Sequence, residues 1–232
     1  MHNLEVVAVH IPKTAGSALI GILVRVYGRG AVLIYGRDTP LTDGPLPLDW
    51  IKPQIRALVG HFRFDQVRHL ENGGGVSFVS FLRDPIERCI SNFYHFKSEK
   101  EDFSRLQRLR RYEPLLLHMM LPRYRNVMSR YLAGSTESDF FRLGTAETFE
   151  DDVIELGTAL GWRTAEDDSQ GIYGQSERVN ENTRYPQELR SVSRSTRKLL
   201  GWLNAEDVRL FRKVSATRHT GTPGSHNEEA ES

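Results

Sequence analysis

The sequence contains a single cysteine, Cys89, among 232 residues. One cysteine cannot form a disulfide within the chain, and it cannot supply the set of thiolates that a cysteine-based zinc site requires. We expect Cys89 to be a small buried residue in the helix that follows Arg83. No other cluster of metal-ligating residue types stands out in the sequence, so no metal is predicted.

Long apolar runs and a strong charge of either sign are also missing. No apolar run reaches the roughly 18 residues that a membrane-spanning helix needs. The formal net charge of +1 gives no reason to expect bulk binding to nucleic acid. The first strand is expected to start by residue 5, with no charged segment and apolar core before it, so we expect a soluble, cytoplasmic protein. The sequence does not indicate an oligomeric state.

The spacing of apolar segments predicts an α/β fold. Strands are expected near residues 5–10, 31–34, 57–61 and 76–82, in alternation with helical stretches. This alternation predicts a P-loop-NTPase-like parallel sheet flanked by helices, with a mostly helical C-terminal half from about residue 98. The length favours one domain over residues 1–214, and the polar residues 215–232 are expected to form a disordered tail.

The segment after the first predicted strand is the most informative part of the chain. It is a tight turn that contains a lysine and leads into a helix, and it reads His10-Ile11-Pro12-Lys13-Thr14-Ala15-Gly16-Ser17. A helix N-terminus has unpaired N–H groups and partial positive charge, so it binds phosphate or sulfate. Ala15, Gly16 and Ser17 are small enough to let the backbone approach a ligand. Lys13 can reach an oxyanion, and the hydroxyl groups of Thr14 and Ser17 can donate to it.

This turn is not a Walker A loop, because that pattern, G-x-x-x-x-G-K-[ST], places a glycine directly before the lysine. Pro12 occupies that position here and stiffens the turn, while Gly16 follows the lysine. A P-loop-type kinase of a nucleotide or small metabolite is therefore a weaker alternative. A non-catalytic protein that binds a bisphosphate nucleotide is the other alternative, but it could dispense with Lys13 and with a histidine base.

A second strand-to-helix junction predicts a second anion site. The apolar run 76–82 is followed by Arg83, by Asp84 as a suitable helix cap, and by Pro85 at the first helical position. Ser91 lies about two helical turns after the cap and so returns to the face of Asp84. Arg83 and Ser91 could therefore clamp one phosphate together.

A histidine follows the predicted strand that lies between these two motifs in the sequence. His61 comes directly after Leu58-Val59-Gly60, and a residue at the end of such a strand faces the ligand crevice of an α/β fold. Its pKa near neutrality would allow it to take a proton from an alcohol. His10, at the end of the first strand, is the competing candidate for the base.

Together these segments resemble sulfotransferases that use 3′-phosphoadenosine-5′-phosphosulfate (PAPS), over roughly residues 5 to 213. HIPKTAGS is similar to the 5′-phosphosulfate loop of the carbohydrate-type branch, which includes the heparan sulfate 2-O-sulfotransferases, and RDPxxRxxSxxY to the family's 3′-phosphate motif. The resemblance implies PAPS as sulfuryl donor, 3′,5′-bisphosphate (PAP) as product and no metal. It implies Lys13 and His61 as catalytic residues, the loop from Pro12 to Ser17 at the 5′-phosphate, and Arg83 and Ser91 at the 3′-phosphate.

A polar segment in the C-terminal third matches an Asn-rich segment that approaches the nucleotide in this family. The residues that could contribute to PAPS binding there are Asn180, Asn182, Thr183 and Arg184. An ordinary loop with an asparagine turn has much the same composition, so both interpretations stay open.

The sequence does not identify the acceptor, which we expect to be a carbohydrate or a small-molecule alcohol. Acceptor choice is expected to depend on the segments 36–53 and 98–125. Between residues 104 and 131 lies an arginine cluster: Arg105, Arg108, Arg110, Arg111, Arg123, Arg125 and Arg130. A solvated helix face is the favoured interpretation, and a rim that attracts an anionic acceptor is the alternative.

Overall fold

The computed structural model describes residues 3–73, 75–98, 114–162 and 192–220. Its centre is a parallel sheet with strand order β2-β3-β1-β4-β5. The strands are β1 Val6–Val9, β2 Val32–Tyr35, β3 Ala57–Gly60, β4 Ser77–Leu82 and β5 Arg142–Thr145. The predicted parallel sheet is confirmed, and the four expected strands lie where the apolar runs placed them.

Helices precede, follow and connect these strands. The α-helices are α1 Gly16–Tyr27, α2 Phe64–Val67, α3 Pro85–Ser98, α4 Leu115–Met120, α5 Val127–Tyr131, α6 Phe149–Ala159, α7 Arg194–Leu203 and α8 Ala205–Thr220. Short 3₁₀ helices cover Arg29–Ala31, Leu48–Trp50, Arg68–Gly73, Pro122–Tyr124, Glu137–Asp139 and Ala146–Thr148. Helix α8 continues to Thr220, past the predicted start of the disordered tail at residue 215.

Both faces of the sheet are buried. Successive side chains along a strand point to opposite faces, and each face packs into its own apolar cluster. Val6, Ala8 and Val59 share one apolar cluster with residues of α1 and α6, whereas Val7 and Leu58 belong to a second cluster on the opposite face. A third apolar cluster joins α3, α4 and α7. It contains Cys89, which is buried as predicted and whose thiol is not part of a disulfide. Burial raises the pKa of this thiol to about 11, which keeps it protonated and unreactive.

The strand order determines where a ligand can bind. β1 lies between β3 and β4, so the connections from β1 to β2 and from β3 to β4 run to opposite sides of the first strand. In open parallel sheets, ligands bind beyond the carboxyl ends of the strands at such a reversal of direction. The first residue after the carboxyl end of each of β1, β3 and β4 is a candidate site residue: His10, His61 and Arg83, respectively.

Among the described residues, no helix is long and apolar enough to cross a bilayer.

A buried carboxylate on α8 fixes that helix to the start of α5. Asp207 on α8 is fully buried, and it accepts hydrogen bonds from the backbone N–H and the hydroxyl of Ser129, each at 2.8 Å, and from the N–H of Met128 at 3.2 Å. We expect Asp207→Ala to lower the free energy of unfolding by about 3 kcal/mol, because it leaves buried donors unpaired. Chemical denaturation measures this loss. Glu206→Ala, at the exposed neighbouring position, is the control, and an equal loss in both variants would contradict the prediction.

Candidate active site

The turn between β1 and α1 has the geometry of an anion site. Lys13 and Ala15 both have positive φ, 72° and 68°, a conformation that costs a residue with a side chain roughly 1–3 kcal/mol. In the described part of the chain, no side chain caps the N-terminus of α1, and its first turn contains no acidic residue. The strained turn therefore leads into a helix end whose own first turn has no carboxylate to neutralise the positive end of the dipole.

One predicted ligand group in this turn has a different task in the structure. The hydroxyl of Thr14 is buried and donates its proton to the carbonyl oxygen of Ile11 at 2.9 Å. A hydroxyl has one proton to donate, so this bond holds the turn closed and leaves only lone pairs for other contacts. Ser17 is exposed at the start of α1, and its predicted contact with a phosphate stays a prediction.

The two candidate bases are in contact. The N–H of His10 donates to the carbonyl oxygen of Gly60 at 2.9 Å, which continues the pairing of β1 with β3. The imidazole Nδ1 of His61 lies 2.7 Å from the carbonyl oxygen of His10, and the centroids of the two rings are 4.2 Å apart. A carbonyl oxygen can only accept, so Nδ1 of His61 carries the proton. When the ring is neutral, its Nε2 is therefore the atom with a free lone pair.

The two rings differ in exposure and in pKa. The pKa of His10 is lowered to about 3, chiefly by burial and to a smaller extent by positive charge on His61 and Lys13. His61 is accessible to solvent, but the atoms packed around its ring still lower its pKa below 6.5 by burial, against the smaller opposing effect of the bond to His10. Both imidazoles are therefore neutral at pH 7, and His61 is the more exposed of the two residues.

Arg83 connects the second junction to the turn. Its guanidinium Nη1 donates to the carbonyl oxygen of Lys13 at 3.4 Å. The next residue, Asp84, caps α3 as predicted, because its Oδ1 accepts from the N–H groups of Ile86 and Glu87, each at 2.9 Å. The predicted phosphate ligand Arg83 is thus held beside the strained turn at the end of β4.

The face of α3 that contains Ser91 also contains His95, which belongs to neither of the two predicted anion motifs. Ser91 is nearly buried, and His95 follows one turn later on the same face. Burial and the positive charge of Lys13 lower the pKa of His95 to about 4. His95 therefore lies within electrostatic range of Lys13. Its spacing of four residues from Ser91 was the signal in the sequence that could have identified it.

The second arginine of the RDPxxR segment has a structural role. Arg88 is buried, and its Nη2 donates to the carbonyl oxygen of Tyr124 at 3.3 Å and contacts the sulfur of Cys89 at 3.5 Å. It thereby fixes α3 to the helical half and holds the orientation of the face that contains Ser91.

Some of the predicted site residues lie outside the part of the chain that the structure describes. Asn180, Asn182, Thr183 and Arg184 lie outside the described residues, as do the first four arginines of the cluster. Arg125 donates through Nε to the carbonyl oxygen of Met119 at 3.1 Å, and Arg130 donates to the carbonyl oxygen of Arg123. These backbone contacts favour a structural role for the described end of the cluster. In the same described ranges, no group of three or more His, Cys, Asp or Glu residues could hold a metal ion.

Comparison with solved structures finds sulfotransferases among the proteins that this chain is similar to. The mouse sulfotransferase SULT7A1, solved in complex with PAP, has a TM-score of 0.55 and 10% identity, with 95% of this chain and 90% of that chain covered. A sulfotransferase from Alicyclobacillus acidocaldarius has a TM-score of 0.49 and 14% identity, with 95% and 98% covered. No curated protein matches the sequence. At this identity the likeness to SULT7A1 shows the fold alone.

The family model described as the sulfotransferase family matches residues 2–213, which is nearly the whole chain. The same range contains the strained lysine turn, the capped Arg83 junction and the histidine between them. The chain therefore belongs to the PAPS-dependent sulfotransferase family, as its two anion motifs predict.

Proposed function

We propose that this protein transfers the sulfuryl group of PAPS to a hydroxyl of a carbohydrate or small-molecule acceptor, with His61 as general base. The observation that carries this proposal is the bond between His61 Nδ1 and the carbonyl oxygen of His10. This bond occupies Nδ1 and leaves Nε2 of the exposed, neutral ring as the atom that can take a proton from an incoming alcohol. His10 is the weaker candidate, because burial lowers its pKa to about 3.

The donor nucleotide has two phosphate positions, and the chain has two places that suit them. The uncapped N-terminus of α1 and the backbone of the strained turn suit the 5′-phosphosulfate. Arg83 and Ser91 suit the 3′-phosphate, which is the group that distinguishes PAPS from ATP. The bond from Arg83 to the Lys13 carbonyl oxygen supports this assignment, because it holds the two places next to each other.

The reaction is an in-line displacement at sulfur. The acceptor oxygen forms a bond to sulfur while the bond from sulfur to the bridging oxygen of the 5′-phosphate breaks, and PAP leaves. His61 Nε2 takes the proton of the acceptor hydroxyl. The Lys13 ammonium stabilises the negative charge that grows on the bridging oxygen. Positioning and charge stabilisation dominate transfers of this kind, which pass through a loose transition state.

The direct test is transfer of labelled sulfate from PAPS to a panel of glycans, phenols and alcohols, without added Mg²⁺. Calorimetry with PAP measures donor-site binding independently of the acceptor. We expect PAP to bind and at least one class of acceptor to become labelled. Failure across a wide panel together with no binding of PAP would overturn the proposal. A cytoplasmic location is part of the same proposal, and fractionation of cells that express the protein tests it.

Arg83→Ala is expected to weaken PAP binding about a hundredfold, because it removes a charged partner of the 3′-phosphate. Calorimetry with PAP and with adenosine 5′-phosphate, which lacks the 3′-phosphate, separates the two phosphate positions. The variant should lose the preference for PAP. Arg56→Ala is the matched control. Arg56 forms an exposed ion pair with Glu5, and these two residues directly precede β3 and β1, at the strand ends opposite the proposed site. A preference for PAP that survives in Arg83→Ala would contradict the assignment.

A further inference from the structure

His10 contacts both halves of the proposed site. Its backbone pairs with β3 through Gly60, and its carbonyl oxygen accepts the proton on His61 Nδ1. Its ring lies beside the His61 ring, with centroids 4.2 Å apart and planes inclined by 34°. The same ring also lies against the start of α1, at Gly16.

The contact with Gly16 is unusually close. A Cβ atom at residue 16 would lie 1.8 Å from Cδ2 and 1.9 Å from Nε2 of His10, distances that no pair of unbonded carbon or nitrogen atoms tolerates. Gly16 is the first residue of α1 and is not among the glycines with positive φ. Its backbone conformation is therefore open to other residues, and a larger residue at this position would require the His10 ring to move.

The ring of His10 is also neutral in this position. Burial is the largest reason for its pKa of about 3, and positive charge on Lys13, or on His61 when that ring is protonated, acts in the same direction. A neutral ring can stay beside the Lys13 ammonium without repelling it. An uncharged, partly buried ring that lies against the Gly16 backbone and the His61 ring is suited to hold a distance and not to exchange protons with an acceptor.

We propose that His10 is a positioning residue whose ring, wedged between Gly16 and His61, sets the distance between the donor-binding turn and the base. The inference rests on the proposed function, because it assigns His61 as the base and the turn as the donor site. It adds that the glycine of the turn is required by His10 and that a disturbance on one side of the ring is transmitted to the other side.

Removal of the ring is the first test. His10→Ala is expected to lower kcat about ten- to a hundredfold while the Kd for PAP stays within about twofold, because a shift of about 1 Å in a reacting group has an effect of this size. His10→Phe keeps a flat ring in the same place and should restore most of the turnover. If His10→Phe is as slow as His10→Ala, a ring of this shape is not what matters, and the proposal is wrong.

The titration of His61 gives a readout that does not depend on activity. The groups that influence His61 and its neighbour are the His10 carbonyl, the His10 ring and Lys13. Water can enter beside His61 in His10→Ala, so the pKa of His61, followed by NMR, should rise towards its ordinary value of 6.5. It should stay low in His10→Phe. An unchanged pKa of His61 in His10→Ala would overturn the proposed contact.

A double-mutant cycle of Gly16 and His10 tests the contact between these two residues directly. Gly16→Ala should lower the melting temperature of the wild-type protein, because its Cβ collides with the His10 ring. In the His10→Ala background the same change should be nearly neutral, since the ring is gone. Additive losses would overturn the inference. Because melting needs no substrate, this cycle can succeed even if the protein fails to transfer sulfate, so the failure of the inference and that of the proposed function can be told apart.

Discussion

Replacement of Lys13 with alanine is expected to slow sulfuryl transfer about a hundred- to a thousandfold, while PAP binding changes far less. The ammonium is proposed to stabilise charge that develops on the bridging oxygen only as the bond to sulfur breaks. An interaction made mainly in the transition state lowers kcat when it is lost and leaves ground-state binding nearly intact. Steady-state kinetics with PAPS and calorimetry with PAP measure the two effects.

The backbone of Lys13 offers a matched control. Its φ of 72° is unfavourable for any residue with a Cβ but ordinary for glycine. Lys13→Gly should therefore be as slow as Lys13→Ala and yet melt at a higher temperature, because it removes the same ammonium and also the backbone strain. If Lys13→Ala loses PAP affinity by the same factor as turnover, Lys13 is an anchor for the nucleotide and not a catalytic group.

Replacement of His61 with alanine is expected to abolish measurable turnover and to leave the affinity for PAP unchanged. The imidazole is proposed to act on the acceptor, so its loss removes proton transfer without touching either phosphate position. His69→Ala is the matched control, because the His69 ring also faces a backbone carbonyl oxygen, that of Leu46 at 3.0 Å. The control variant should retain turnover.

The pH dependence of the wild-type enzyme tests the same residue. Burial lowers the pKa of His61 below 6.5, so the ring stays neutral further into the acid range than a free histidine does. The value of kcat/KM should therefore stay level as the pH falls towards 6.5 and decrease only below it, as the base becomes protonated. An acid limb centred above 6.5, or turnover that persists in His61→Ala, would remove His61 as the base.

The sequence by itself determined the features that depend on neighbours along the chain. Asp84 and Pro85 specify the start of α3 through local hydrogen bonding and a fixed φ, and the structure places the cap there. The apolar runs specify strands buried on both faces, and β1 and β4 lie within them. The family was indicated by the resemblance of two short segments to its anion-binding motifs, and such a resemblance can be seen along the chain without any distant partner.

Only the tertiary structure decided what depends on contacts between distant segments. The sequence favoured His61 over His10 as the base, but each residue follows a strand, and position along the chain does not tell which ring is exposed. Pairing of β1 with β3 puts one ring against Gly16 and leaves the other accessible, with its Nδ1 bound to a carbonyl oxygen. The closeness of His95 to Lys13 is likewise visible only in the tertiary structure. Burial and proton location are set by atoms from other strands and helices, and no spacing along one segment contains that information.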